Sequence, residues 1–230
     1  MMPAPPVPPA PLGKRLAAEA LGSLLLACVV IGSGIMAERL AAGTAGVALI
    51  GNTLATVALL GVLIYTLGPI SGAHFNPVVS LVMMLRGEFS LRDFIAYTFT
   101  QIIAMLTGAM LAHAMFGLAL VQTSAHVRSS LGEGLGELVA TFVLLFAILG
   151  TIRRNHDLTA FTVPAAITAG YWFTSSTSFA NPAITIARSI TDSFSGIAPE
   201  SVGLFVIAQC IGATLGWGVA RAFWGADSAQ

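Results

Sequence analysis

Six apolar runs, each close to a bilayer in length, decide what this chain can become. A helix rising 1.5 Å per residue needs about 20 apolar residues to cross roughly 30 Å of hydrocarbon. The runs are Leu16–Met36, Thr44–Leu67, Phe94–Leu120, Leu131–Ile152, Thr159–Phe173 and Val202–Phe223, the fifth being short. Only 9% of the residues are charged, where a soluble domain carries about 25%. Too few polar groups remain to cover a water-facing surface, so the outer solvent is expected to be the lipid bilayer. Lipid offers the backbone no hydrogen bonds, which leaves helices as the natural spanning form.

Two further apolar stretches, Phe75–Leu85 and Asn181–Ile190, are too short to cross. Each holds an Asn-Pro step at or near its start. Asparagine caps a helix well, and proline suits the first helical turn. Both stretches therefore read as half-helices that enter the membrane and stop. The predicted fold is an all-α membrane protein with six transmembrane helices and two re-entrant half-helices.

The tails are read from composition. Residues 1–13 begin with a proline-rich run, Met1 to Pro11, expected to be extended and solvated. A signal peptide would also place basic residues such as Lys14 and Arg15 before an apolar core. Glu19 within the core, and its continuation into a spanning pattern, favour a first span. A single domain then occupies 14–224, built from repeats at about 14–120 and 131–224, with a short tail at 225–230. An internal N-terminus puts Lys14, Arg15, Arg86, Arg92, Arg153, Arg154 and Arg221 on the inner side. Arg39, Arg128 and Arg188 then lie outside. That asymmetry predicts both termini in the cytoplasm, in a multi-pass protein of a cell membrane, expected to be a bacterial inner membrane.

The two halves repeat. The first opens with AEALGSLLLACVVIGSG and carries SGAHFNPVVSLVMML; the second opens with GELVATFVLLFAILG and carries SFANPAITIARSI. Three spans per half give the copies opposite topology. Inverted repeats of this kind build a site near the bilayer midplane, where interrupted helices meet.

The paired tripeptides Asn76-Pro77-Val78 and Asn181-Pro182-Ala183, with Ser71-Gly72-Ala73-His74 before the first, make the chain resemble the aquaporin, or major intrinsic protein, family. Glu19 and Glu137, at matching starts of the first and fourth runs, fit the same pattern. The resemblance covers about residues 14 to 224, and Val78 departs mildly from the usual alanine. It implies a passive channel for small uncharged solutes and water, assembled as a homotetramer. The positive ends of two opposed half-helices repel cations, and the asparagines that cap them offer amide N–H groups to a passing oxygen. The irregular loops before them, Gly72 to His74 and about Ser175 to Ser178, can line the lumen with carbonyls. Glu19 and Glu137 are expected to hold those loops, and His74 to support the pore wall. A proton relay through the two carboxylates is the alternative.

One departure bears on substrate. The family usually carries a filter arginine three residues after the second motif asparagine, and here that residue is Ile184. Ungapped counting from the asparagines gives the other filter positions as Thr56, Ala169 and Ser178; a one-residue slip would exchange Ala169 for Gly170. The set holds no aromatic ring and no charge, which predicts a wide filter for glycerol, urea, ammonia-sized molecules or undissociated metalloid hydroxides such as arsenite. NPAITIARS resembles a bacterial subgroup associated with arsenic resistance. Arg188 stands one helical turn further on. It faces either the outer mouth of the pore or the headgroups and Asp192.

Other classes find less support. The formal net charge is zero, so nothing points to nucleic acid. His74, His113, His126 and His156 are scattered, and Cys28 and Cys210 lie in apolar runs, so no metal, disulfide or cofactor is expected. No nucleophile with a base and an orienting group marks an enzyme. A narrow water channel remains an alternative, as does a secondary transporter, which would need an ion site or a proton relay. An ion channel would need a ring of acidic residues that the sequence does not supply. Gly108, Gly117, Gly212 and Gly216 suit close helix contacts, within the chain or between copies.

Overall fold

The computed structural model describes residues 10–225, and among these there are eight α-helices and no strands. They are α1 (Leu12–Leu40), α2 (Ala45–Ser71), α3 (Pro77–Leu85), α4 (Leu91–Met115), α5 (Leu131–Arg154), α6 (Thr159–Phe173), α7 (Pro182–Arg188) and α8 (Pro199–Trp224). Helices α1, α2, α4, α5 and α8 are long and apolar enough to cross a membrane. The fifth expected span, α6, has only 15 residues, which is about 22 Å of helix. A 3₁₀ turn at His156–Leu158 precedes it, and the chain turns extended at Thr174 and runs without further helix to Asn181.

Local chemistry sets the ends. Helix α1 starts directly after Pro11, inside the stretch expected to be tail; residues 1–9 and 226–230 lie outside the described ones. Helix α2 continues through Pro69 to Ser71 and stops where Gly72 adopts φ +86°. Helix α4 begins under a Ser90 cap and ends at Met115, five residues before the sequence expectation, because Gly117 turns the chain at φ +67°. Helix α5 opens with a reciprocal Ser130–Glu133 capping box.

The repeat is visible in packing. Helix α1 packs on α2 and α4, and α5 packs equivalently on α6 and α8. Each half-helix touches the last helix of both repeats, since α3 and α7 each contact α4 or α8 of their own half and of the other. Seven residues after Gln101 stands Gly108, against the Leu24 carbonyl; seven after Gln209 stands Gly216, against the Phe142 carbonyl. Leu24 and Phe142 each lie five residues after the matching glutamate. These glycines let two helix backbones touch, the role small residues play where apolar lipid gives helices no solvent-driven attraction. Gly212 likewise meets the Leu138 carbonyl, whereas Gly117 has nothing near its Cβ position. Three of the four glycines singled out in the sequence are thus used inside the chain.

Gly108→Ala drives a methyl group into the Leu24 carbonyl, which belongs to a helix backbone and cannot rotate away. It should lower stability by about 1–3 kcal/mol. Gly203→Ala in α8, where a Cβ meets nothing within 4 Å, should be neutral or slightly stabilising. Thermal unfolding in detergent, followed by circular dichroism, separates the two.

Candidate pore

The segments before the two half-helices are strained. Ala73 and Phe75 in the first, and Thr177, Ser178 and Ala180 in the second, hold φ between 46° and 61° without being glycine. Such left-handed residues cost about 1–3 kcal/mol each and persist only where surroundings fix them. Two glutamates do the fixing. Glu19 Oε1 accepts from the His74 N–H (2.9 Å) and the Ser71 hydroxyl (2.8 Å), and Oε2 accepts from the Phe75 N–H (2.8 Å) and Gln101 Nε2 (2.8 Å). Glu137 repeats the arrangement: Oε1 accepts from the Phe179 N–H (2.8 Å), and Oε2 from the Ala180 N–H (2.8 Å) and Gln209 Nε2 (2.5 Å). Both carboxyl groups are wholly buried. Gln101 also donates to Ser80 Oγ, and Gln209 to Thr185 Oγ1, which ties each glutamate to its own half-helix.

The asparagines close the two halves on each other. Asn76 Oδ1 caps α3 by accepting from the Val78 N–H, and Asn181 Oδ1 caps α7 by accepting from Ala183 and Ile184. Asn76 Nδ2 donates to the Ala180 carbonyl and Asn181 Nδ2 to the Phe75 carbonyl, both at 2.8 Å. A primary amide has two N–H bonds, so each asparagine keeps one beyond this cross-link. Both line a cavity of about 210 Å³. It extends from Met83, Glu88 and His156 past the asparagines to Ile184 and Arg188.

The placement of the other expected residues is mixed. Thr56, Ser178 and Ile184 line the cavity, as do Gly72, Ala73, His74 and Phe75. His74 Nδ1 lies 2.9 Å from Ser80 Oγ, and its ring packs against Phe89 and Tyr97. Pro77, Pro182, Ala183 and Val78 are buried outside the wall, so the extra bulk of Val78 goes into the core rather than the lumen. Among the described residues no group of histidines, cysteines and carboxylates could hold a metal ion.

Ala169 requires correction. It is exposed and absent from the wall; the face of α6 that borders the cavity carries Val163, Ile167 and Tyr171, four residues apart. Gly170 is the buried neighbour, and a Cβ there would fall 2.5 Å from Ser178 Oγ. One residue of miscounting rotates a helical side chain by about 100°, enough to move it from wall to exterior. Beyond the four counted filter positions, Tyr171, Phe179 and Arg188 also line the cavity. The fourfold spacing from Val163 to Tyr171 was the available signal for Tyr171. Phe179 was masked by its place in an irregular loop.

Arg188 resolves toward the cavity. It is 3% exposed, its Nε donates to the Ser195 carbonyl, and its guanidinium lies 3.3 Å from the centre of the Phe179 ring. Asp192 is engaged elsewhere, accepting from the Ala125 N–H. Arg128, in the loop between α4 and α5, approaches the same ring at 5.4 Å and donates from Nε to the Gly196 carbonyl (2.9 Å). Burial pulls its pKa below the usual arginine value, while Glu133 and Glu137 pull it back.

Residues 10–177 match the family described as Major intrinsic protein. The chain is 50% identical over 202 residues to the aquaglyceroporin AqpS of Rhizobium meliloti (strain 1021), covering 88% of this chain and 86% of that one. It is 34% identical over 170 residues to the probable aquaporin PIP2-8 of Oryza sativa subsp. japonica, covering 67% and 60%. The X-ray structure of the aquaglyceroporin from Plasmodium falciparum shares the fold at a TM-score of 0.71 and 19% identity, covering 93% of this chain and 98% of that one.

Glu137→Gln replaces one acceptor oxygen with an amino group that faces the N–H of Phe179 or of Ala180, whichever oxygen is lost. Each donor left unpaired costs about 1–3 kcal/mol. The variant should unfold at lower temperature in detergent and pass less water in stopped-flow vesicle shrinkage.

Proposed function

This chain belongs to the major intrinsic protein family, and on that premise we propose that it is a passive membrane channel for small uncharged solutes larger than water, with water also passing. The observation that carries the size assignment is Ile184. It borders the cavity at the position where the family usually holds an arginine, and Thr56 and Ser178 line the same cavity. Loss of a fixed cation and of bulk there widens the constriction. Thr56, Ser178 and the aliphatic Ile184 together give a mixed polar and apolar wall, a surface suited to glycerol, urea or an undissociated metalloid hydroxide such as arsenite. The asparagine amides at mid-path offer hydrogen bonds to the oxygens of such solutes.

A narrow water channel is the second reading, favoured by Tyr171 and Arg188 on the same wall. A proton-coupled transporter fits less well, because the oxygens of Glu19 and Glu137 already accept from backbone and side-chain donors. For the molecule in its membrane we propose cytoplasmic termini and, on family membership, a homotetramer.

Ile184→Arg should restore a charged, narrow constriction. Stopped-flow measurement in vesicles should show glycerol and arsenite permeability falling about tenfold, a barrier increase of about 1.4 kcal/mol. Water permeability should change far less. Equal loss of every flux, or none, contradicts the assigned constriction.

A further inference from the structure

We propose that the seam between α5 and α8, at the end where both helices stop, binds an anionic phospholipid, with its phosphate among Arg153, Arg154 and Arg221 and an acyl chain along Phe146 and Phe223. The inference rests on the chain spanning a bilayer and is independent of what passes through the pore.

The two helices run side by side in one direction. Leu138 meets Gly212, Phe142 meets Gly216 and Gly150 meets Trp224, each pair 74 residues apart. At the last of these contacts a Cβ on Gly150 would fall 2.8 Å from the Trp224 ring. Trp224 stacks on Phe146 at 5.0 Å, Phe142 stacks on the same ring at 6.0 Å, and Phe223 meets it edge-on at 6.2 Å. Phe223 is 70% exposed, so this aromatic step faces out of the bundle. Arg153 follows Phe146 by seven residues and Arg154 follows Gly150 by four, which keeps both on the seam side of α5. On α8, Arg221 precedes Trp224 by three residues and lies over the Trp217 ring at 5.9 Å. By the constant offset it stands six residues short of Arg153, about 9 Å along the axis, a gap that two arginine side chains close between them.

Charge at this end is out of balance. All three arginines are exposed, and none has a carboxylate in contact; the ion pairs among the described residues are Arg15–Asp93 and Arg86–Glu88. Asp157, in the turn after α5, pairs with none of them. Two helix C-termini supply about one negative charge together, against three guanidinium groups. The matching seam of the first repeat is built differently. There Leu24 meets Gly108 and Gly32 meets Phe116, but a single arginine, Arg39, covers the Phe116 ring at 5.0 Å, and Glu38 stands beside it. Arg221 leans back along its helix toward Trp217, and so toward the hydrocarbon. A cation there is costly unless an anion reaches it, and the anion at that depth is a lipid phosphate.

The full-length protein in nanodiscs of phosphatidylcholine, alone or mixed with phosphatidylglycerol, provides the test. Native mass spectrometry reads the lipid retained on the protein, and circular dichroism reads the unfolding temperature. The wild type should retain phosphatidylglycerol in preference to phosphatidylcholine and unfold at a higher temperature in the mixed discs. Arg153→Gln, Arg154→Gln and Arg221→Gln combined should lower phosphatidylglycerol retention about tenfold or more and abolish the temperature difference. Arg221→Gln alone and Phe223→Ala should each lower retention severalfold. Lys14→Gln with Arg92→Gln, which removes exposed cations outside the seam, should behave as wild type.

Equal retention of the two lipids by the wild type, or full retention in the triple variant, overturns the site. Equal loss in the Lys14 and Arg92 variant also overturns it, since the attraction would then be diffuse. Unchanged retention in Phe223→Ala overturns the acyl placement. A rise in unfolding temperature on adding soluble glycerol 3-phosphate to phosphatidylcholine discs, equal to the rise with phosphatidylglycerol, replaces the lipid with a soluble anion. Should the triple variant fail to fold, Arg221→Gln decides by the same retention measurement.

Discussion

Everything in the lumen depends on two buried carboxylates. Without Glu19 and Glu137, the strained segments before the half-helices would have no acceptors for N–H groups that helix and solvent both fail to satisfy. A buried ionisable group is costly, and it is tolerated here because each oxygen gathers several donors at once. The left-handed residues then aim their carbonyls in directions that ordinary helix or extended chain cannot.

Packing repeats the same economy. The carboxylates sit on α1 and α5, their glutamine partners on α4 and α8, and the glycines that let those helix pairs close lie at equal distances from the glutamines. Loop support and helix contact are thus one construction made twice. The copies differ in detail: Gly22 in the first repeat makes room for the Phe75 ring, while the second has Ala140 and Ala180 at the matching places. A glycine facing a large ring in one copy stands where the other copy has two alanines.

Much of this was legible in the sequence. Apolar run length located the long helices, Asn-Pro steps located the half-helices, and the matched glutamates carried the repeat. Regular helices obey a period, and caps obey local chemistry. The irregular loop from Thr174 to Ala180 obeys neither, which is why counting back through it reached Ala169, which does not line the cavity. The same gap hid Phe179, and without Phe179 nothing in the sequence settled which way Arg188 turned. Both errors fall on the stretch whose shape is dictated from outside itself, by Glu137 on another helix.

The reciprocal amide bonds, Asn76 to the Ala180 carbonyl and Asn181 to the Phe75 carbonyl, bear on biosynthesis. A nascent chain completes its first repeat before the second exists. During that interval Asn76 Nδ2 and the Phe75 carbonyl have no partners 104 and 106 residues downstream to meet. The first re-entrant loop therefore lacks its cross-repeat bonds until the second half-helix arrives. A chain interrupted between its repeats holds the Asn76 amide and the Phe75 carbonyl without these partners.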